Sequence, residues 1–379
     1  MDFDFSDEEY SFQETTRSFL DANSTIEQRR AFPAKSGIDA DGWQKLVSTG
    51  VFSMLVPEAF DGLGLTFTHL ALVLEEYGRG LVAAPVADVL VATDVISRFA
   101  TPQQQSTWMP GLASGRLMVV PAVAEYGAGY SPDKADVTAT RAGSGWMLSG
   151  KKMLVPEGAT ADGFLGSVRF AESGDVGLVL IERARAGVTS REHATLDLSS
   201  RYSEIAFDGV RIERADILGG NASSPAVARL HDVSAGAAAL MMTGIAAKVL
   251  DDTVAYVTQR VQFGKPIGSF QSIKHRCADM MVAIESARAA AYYAAWAIGQ
   301  DSADRAKAVS MAKSMCGDTA RFVTNEGIQL HGGIGFTWEL GLHAFLRRAR
   351  MLEYSYGDTA YHRERVLAAT LAELGGKGT

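Results

Sequence analysis

Apolar residues along this chain change their spacing twice, from helical to alternating near Leu117 and back to helical after Gly220. A period of 3.6 needs a helix with one buried stripe and a period of two needs a strand with one buried face, so both kinds must settle in separate layers. Ser6 and Glu9 form a capping box ahead of a helical pattern over 12–20. Similar patterns cover 41–50, 67–80, 86–99 and 102–114, with glycine and proline joints such as 57–64 between them. Short β-branched runs follow at 137–141, 146–153, 176–181, 204–207 and 210–212, and they predict a compact antiparallel β-domain. Long helical patterns at 227–260, 270–299, 303–331 and 340–354 then predict a four-helix bundle. The expected fold class is α+β, with an N-terminal helical domain (1–118), a middle antiparallel β-domain (119–219) and a C-terminal long four-helix bundle (220–379).

A chain of 379 residues can bury the cores of two or three such units. Its net charge of -8 and pI near 5.5 supply no basic field for a phosphate backbone, which argues against a nucleic-acid partner. The acidic start, from Met1 to Glu9, lacks the basic and apolar regions of a secretory signal, so a cytoplasmic location is expected. Cys277 and Cys316 fall inside helical patterns and read as buried, inert thiols. The longest apolar stretch, 234–250, is rich in Ala and Gly, carries Lys248 and is short of the roughly 20 residues of a bilayer span; it reads as a buried helix.

Two motifs carry chemistry. Arg260, Phe263, Gly264 and Gln271 form one, and Gln329, Gly332, Gly333, Gly335 and Glu339 form the other, about 70 residues on. A guanidinium can pair with pyrophosphate oxygens, while glutamine amides and glycine backbone reach other parts of a dinucleotide. In this order they resemble the RxxFG…Q and QxxGGxGxxxE segments of acyl-CoA dehydrogenases. The loop holding Gly127, Ala128 and Gly129, the strand around Gly150 and Lys152, and the Arg201 to Glu204 segment are similar to that family as well, so the resemblance runs nearly end to end. It implies FAD held by Arg260, Phe263, Gln271, Gln329, Gly332 and Gly333. It further implies oxidation of the Cα–Cβ bond of an acyl-CoA thioester, tetrameric assembly and electron-transfer flavoprotein as electron acceptor.

The same resemblance exposes departures. The family's base is a glutamate in a YEGT-like segment, which here reads Tyr356, Gly357, Asp358, Thr359. The other position used by relatives aligns with Ser234, and a serine needs an activating base of its own. Asp358 is the better candidate for a displaced catalytic carboxylate, ahead of Asp232, unless it is a turn aspartate. Residues that would serve the flavin ring align with Ala124, Leu154 and Pro156, and proline lacks even an amide hydrogen. An intact distal half beside an eroded ring half resembles the small, non-catalytic subunit of heteromeric (α2β2) acyl-CoA dehydrogenases, paired with a paralogous subunit. A homotetramer using Asp358, a related flavin oxidase or monooxygenase, and a binding protein on this fold stay open. Gly127 and Gly129 lack the third glycine and the strand-to-helix setting of a Rossmann fingerprint. The histidines, His331 and His343 among them, form no metal-ligand pattern, so no metal is expected.

Overall fold

The computed structural model describes residues 4–31 and 37–375. Ser6 caps α1 (Asp7–Asn23) through the reciprocal box with Glu9. The first segment continues through α2 (Ile26–Ala31), α3 (Ala40–Val47), α4 (Ala71–Gly80), α5 (Val86–Phe99) and α6 (Pro102–Ala113). The expected helical stretch 67–80 opens as a 3-10 turn, Phe67–Leu70, and a further 3-10 turn, Val51–Ser53, follows the 41–50 stretch.

Seven strands make the middle layer: β1 (Val119–Ala122), β2 (Thr138–Ala142), β3 (Gly145–Pro156), β4 (Gly163–Phe170), β5 (Val176–Glu182), β6 (Val188–His193) and β7 (Tyr202–Ile212). The order is β1-β4-β2-β3-β7-β6, with β5 on the other edge of β4. The expectation of an antiparallel sheet is corrected here, because β1 and β2 each pair with β4 in parallel. The excursion over 123–162 is long enough for the chain to cross back and enter β4 in the same direction as β1. Two runs that read as separate strands are one, β7, carried past Gly209 at φ 59° by a register shift against β3.

The third segment is built on α7 (Ser224–Gln259), a 36-residue helix packed against α4, α5, α8, α9 and α10. A tight hairpin, β8 (Val261–Gln262) and β9 (Lys265–Pro266), leads to α8 (Gln271–Gly299), α9 (Arg305–His331), α10 (Leu342–Tyr354) and α11 (Thr359–Gly375). A fifth helix, α11, therefore joins the four expected. Among the described residues α7 is the one helix long and apolar enough to cross a membrane, and 94% of its most apolar window is buried inside the protein. Two glycines allow this burial. A Cβ on Gly244 would run into the Glu75 carbonyl, and one on Gly78 into the Met241 carbonyl, so α4 and α7 touch backbone to backbone through reciprocal notches. Cys316 is buried, whereas Cys277 is only half-buried.

One charged cluster locks the first segment to the third. Arg229 on α7 is 1% exposed and donates Nε to Asp94 Oδ2 on α5 at 2.6 Å, Nη2 to Asp94 Oδ1 at 2.8 Å, and Nη1 to Asp301 at 2.9 Å.

Candidate functional site

A cavity of about 450 Å³ lies where α5, the sheet, α7 and the end of α10 meet. Small and flexible apolar side chains form its walls, including Ala87, Val91, Ala124, Ala237, Ala238 and Met241. Into this apolar space project Asp88, Tyr202, Ser234 and Tyr356. The Tyr356 hydroxyl donates to Asp88 Oδ1 at 3.1 Å, and burial pushes the Asp88 carboxyl up to about 6 despite that bond and the Arg348 charge. Arg348 is itself fully buried and spent on Asp197 at 2.7 Å and on the hydroxyls of Ser199 and Ser200.

Of the two positions that align with the family's base, Ser234 lines this cavity and Gly357 follows a lining residue, Tyr356, in the adjoining turn. Ser234 borders it from α7 with its Oγ buried against the Tyr356 phenol, and no partner of good geometry satisfies that oxygen. Gly357 follows Tyr356 in the turn between α10 and α11 at φ 108°, a conformation open essentially to glycine alone. A Cβ there would stand 2.5 Å from Tyr361 Cδ1 and 2.7 Å from His362 Nε2, so the volume a glutamate stem would need is filled by two rings. Lys313 fastens the turn from beneath, donating to the carbonyls of Glu353 at 2.9 Å and Gly357 at 2.8 Å. Burial lowers the Lys313 ammonium to about 7.

Asp358 does not border the cavity. Its Oδ1 accepts from the Tyr361 amide at 2.8 Å and its carbonyl from the His362 amide at 3.1 Å, which makes it the cap of α11. Asp232 is likewise engaged elsewhere, held by Arg365 at 2.9 Å and Arg305 at 3.1 Å. Burial alone would raise its carboxyl, but His231 and Arg365 outweigh burial and leave it near 2. A cavity carboxylate that sequence reasoning missed is Asp88; its only signal was the one acid in the first turn of the largely apolar α5.

His362 is the acid-sensitive element of the turn. Its Nε2 donates to the Tyr356 carbonyl at 3.0 Å, so Nδ1 must accept from Ser310 Oγ at 3.2 Å and the ring is neutral. Burial, with the Lys313 charge added, holds it down to about 2. Between that value and the usual 6.5 the unfolded chain binds the extra proton, so this group's contribution to stability falls as pH falls below 6.5. Asp88, raised to about 6, acts in the opposite direction, so the difference between two proteins is the clean readout. Between pH 7 and pH 5 the native chain is expected to lose about 2 kcal/mol more than His362→Gln, measured by urea unfolding at each pH. Equal losses would show that His362 is not held neutral.

The expected cofactor residues stand apart from the cavity, on one end of the helical domain. Arg260 closes α7, Phe263 and Gly264 turn the β8–β9 hairpin with both φ angles positive, and Gln271 opens α8. Gln329 ends α9 beside Gly332 and Gly333, and the Tyr256 ring stacked on His331 at 4.4 Å brings the two motifs to the same end. All six are exposed, Phe263 by 91%. The side chains of Arg260, Gln271 and Gln329 bond nothing among the described residues, and a Cβ on Gly332 or Gly333 would meet nothing within 4 Å. A free guanidinium, two free amides and an open glycine cradle fit the anionic, distal portion of a dinucleotide approaching from outside. The ring side fits poorly. Leu154 and Glu157 flank Pro156 with positive φ, the pairing of β3 with β7 is irregular between Lys152 and Val155, and neither Pro156 nor Ala124 offers a side-chain donor.

The acyl-CoA dehydrogenase N-terminal domain model matches residues 6–116 and the acyl-CoA dehydrogenase C-terminal domain model matches 226–371. Acyl-CoA dehydrogenase FadE27 of Mycobacterium tuberculosis is 27% identical over 97% of this chain and 98% of its own. Acyl-CoA dehydrogenase FadE34 of the same organism is 31% identical over 88% of this chain, which spans 43% of that longer protein. Among solved structures, the ChsE4-ChsE5 complex from Mycobacterium tuberculosis superposes with a TM-score of 0.90 at 25% identity, covering 98% of this chain and 99% of the matched one. The chain belongs to the acyl-CoA dehydrogenase family, FAD-dependent oxidoreductases that act on the CH–CH bond of acyl-CoA thioesters.

Proposed function

We propose that this chain is a cytoplasmic subunit of a heteromeric acyl-CoA dehydrogenase, completing the FAD site of a paralogous partner and lacking a base of its own. The observation that carries the proposal is the Gly357 turn, where a side chain at the base position has no room. Bound FAD supplies the hydride acceptor for Cβ of the thioester. This chain's part is to bind and orient: the Arg260 guanidinium pairs with pyrophosphate, Gln271 and Gln329 donate neutral hydrogen bonds, and Gly332 and Gly333 let the ligand approach the backbone. The partner contributes the base and the acyl-CoA site, and electrons pass to electron-transfer flavoprotein. Structural kinship with a complex of two named chains supports a paired assembly. The competing reading, a homotetramer with Asp358 as base, requires the cap of α11 to be broken first.

Flavin absorbance and assembly mass, recorded for the chain alone and for the chain co-expressed with a paralogous acyl-CoA dehydrogenase subunit, separate the two. The expected result is FAD in the mixed assembly only. In that assembly Arg260→Ala is expected to weaken FAD binding at least tenfold, since a charge-assisted hydrogen bond contributes about 1.5–3 kcal/mol. Stoichiometric FAD on the chain alone would overturn the proposal.

A further inference from the structure

The cavity survives in a chain whose base position is closed, and its polar atoms form a pattern of their own. Asp88 presents a carboxylate of which one oxygen accepts from Tyr356, and no other side chain bonds it. Beside the same Tyr356 phenol Ser234, 2% exposed, presents a hydroxyl with no partner of good geometry. A buried polar atom left in this state destabilises the fold unless something completes its bonding. The surrounding walls include small side chains, Ala84, Ala87, Ala237 and Ala238 among them, and leave about 450 Å³ open, room for a fused pair of rings.

We propose that Asp88 and Ser234 form a recognition site for the hydroxyl group of a neutral, ring-sized apolar ligand held in this cavity. A hydroxyl both donates and accepts: its hydrogen meets the Asp88 carboxylate and its oxygen meets the Ser234 hydroxyl hydrogen. A ketone of the same shape accepts only and leaves the carboxylate facing an oxygen. An ammonium would bond Asp88 but, accepting nothing, would leave the Ser234 hydroxyl hydrogen unmet, and a carboxylate ligand would meet Asp88 with Glu157 behind it. At neutral pH Asp88 is ionised, its carboxyl being raised only to about 6, with Tyr356, Tyr202, Arg348 and Glu157 as the titratable and charged groups around it. The cavity also takes in Ala124, Leu154 and Pro156, the positions aligned with the flavin ring, so the proposal rests on the proposed function, in which this chain holds no flavin ring of its own.

The test is calorimetric titration of the full chain, alone and in its mixed assembly, at pH 7.5 with 2-decalol, 2-decalone and decalin. The alcohol is expected to bind at least tenfold more tightly than the ketone. Asp88→Asn places an amide donor at the site and is expected to erase or reverse that preference. Ser234→Ala is expected to weaken the alcohol severalfold and leave decalin unchanged. The alcohol-to-ketone ratio is read in the unsubstituted protein, so it stands even where a variant folds poorly. Equal affinity for alcohol and ketone, binding of none of the three, or a preference untouched by Asp88→Asn would each overturn the proposal. A failure here with FAD confined to the mixed assembly leaves the proposed function standing, whereas FAD on the chain alone overturns both.

Discussion

Gly357→Glu is expected to destabilise this chain by about 3 kcal/mol or more and to confer no dehydrogenase activity on it. Two physical terms add. Holding a non-glycine residue at φ 108° costs roughly 1–3 kcal/mol, and forcing a Cβ against Tyr361 and His362 costs roughly 1–3 kcal/mol more. Urea unfolding of the native chain, Gly357→Ala and Gly357→Glu measures both, with alanine isolating the backbone and Cβ terms from the rest of the glutamate stem. Adding Tyr361→Ala should recover part of the loss by opening the side of the turn that the ring fills. A Gly357→Glu protein as stable as the native chain would mean that the turn refolds easily around a side chain, and the argument for a closed base position would fail.

Arg229→Met is expected to cost about 3–5 kcal/mol, the effect of stranding a buried carboxylate, Asp94, in the joint between α5 and α7. Because the same guanidinium also reaches Asp301 and the Ile298 carbonyl, the loss should loosen the end of α8 along with α5. Denaturant unfolding gives the free energy, and hydrogen exchange should show the amides of α5 and the end of α8 losing protection together. The double variant Arg229→Met, Asp94→Leu should regain much of the stability, since it leaves no buried charge unpaired: Asp301 is exposed and keeps Arg305, and Arg98 reaches solvent. A double variant no more stable than the single would place the effect in packing rather than charge.

Much of the helical organisation was legible because it depends on local rules. The Ser6 box and the apolar periods of α5, α7, α8 and α9 are written within a few residues of one another. The sheet was legible in texture and not in pairing. Nothing local in 119–122 says that it lies parallel to 163–166, because that register is settled by partners far along the chain. Strands β1, β4 and β6 were passed over for related reasons. β4 is buried at nearly every position and shows no alternation, and β6 is exposed along most of its length. The helix α11 escaped notice although its leucines are regularly spaced, since Leu367, Leu371 and Leu374 remain exposed and mark no core face.

The site divides along the same line. The sequence by itself determined the order of the domains, the presence of Arg260, Gln271 and Gln329 in the right succession, and the want of a glutamate at position 357, because each is a matter of residue type at a fixed spacing. Only the tertiary structure decided that Asp358 caps a helix, that Asp232 is spent on two arginines, and that Asp88 and Ser234, far apart in the chain, face one cavity. Whether a carboxylate acts as base, cap or ion-pair partner depends on what lies within about 3 Å of its oxygens, and that distance is set by the packing of separate helices rather than by neighbours in sequence.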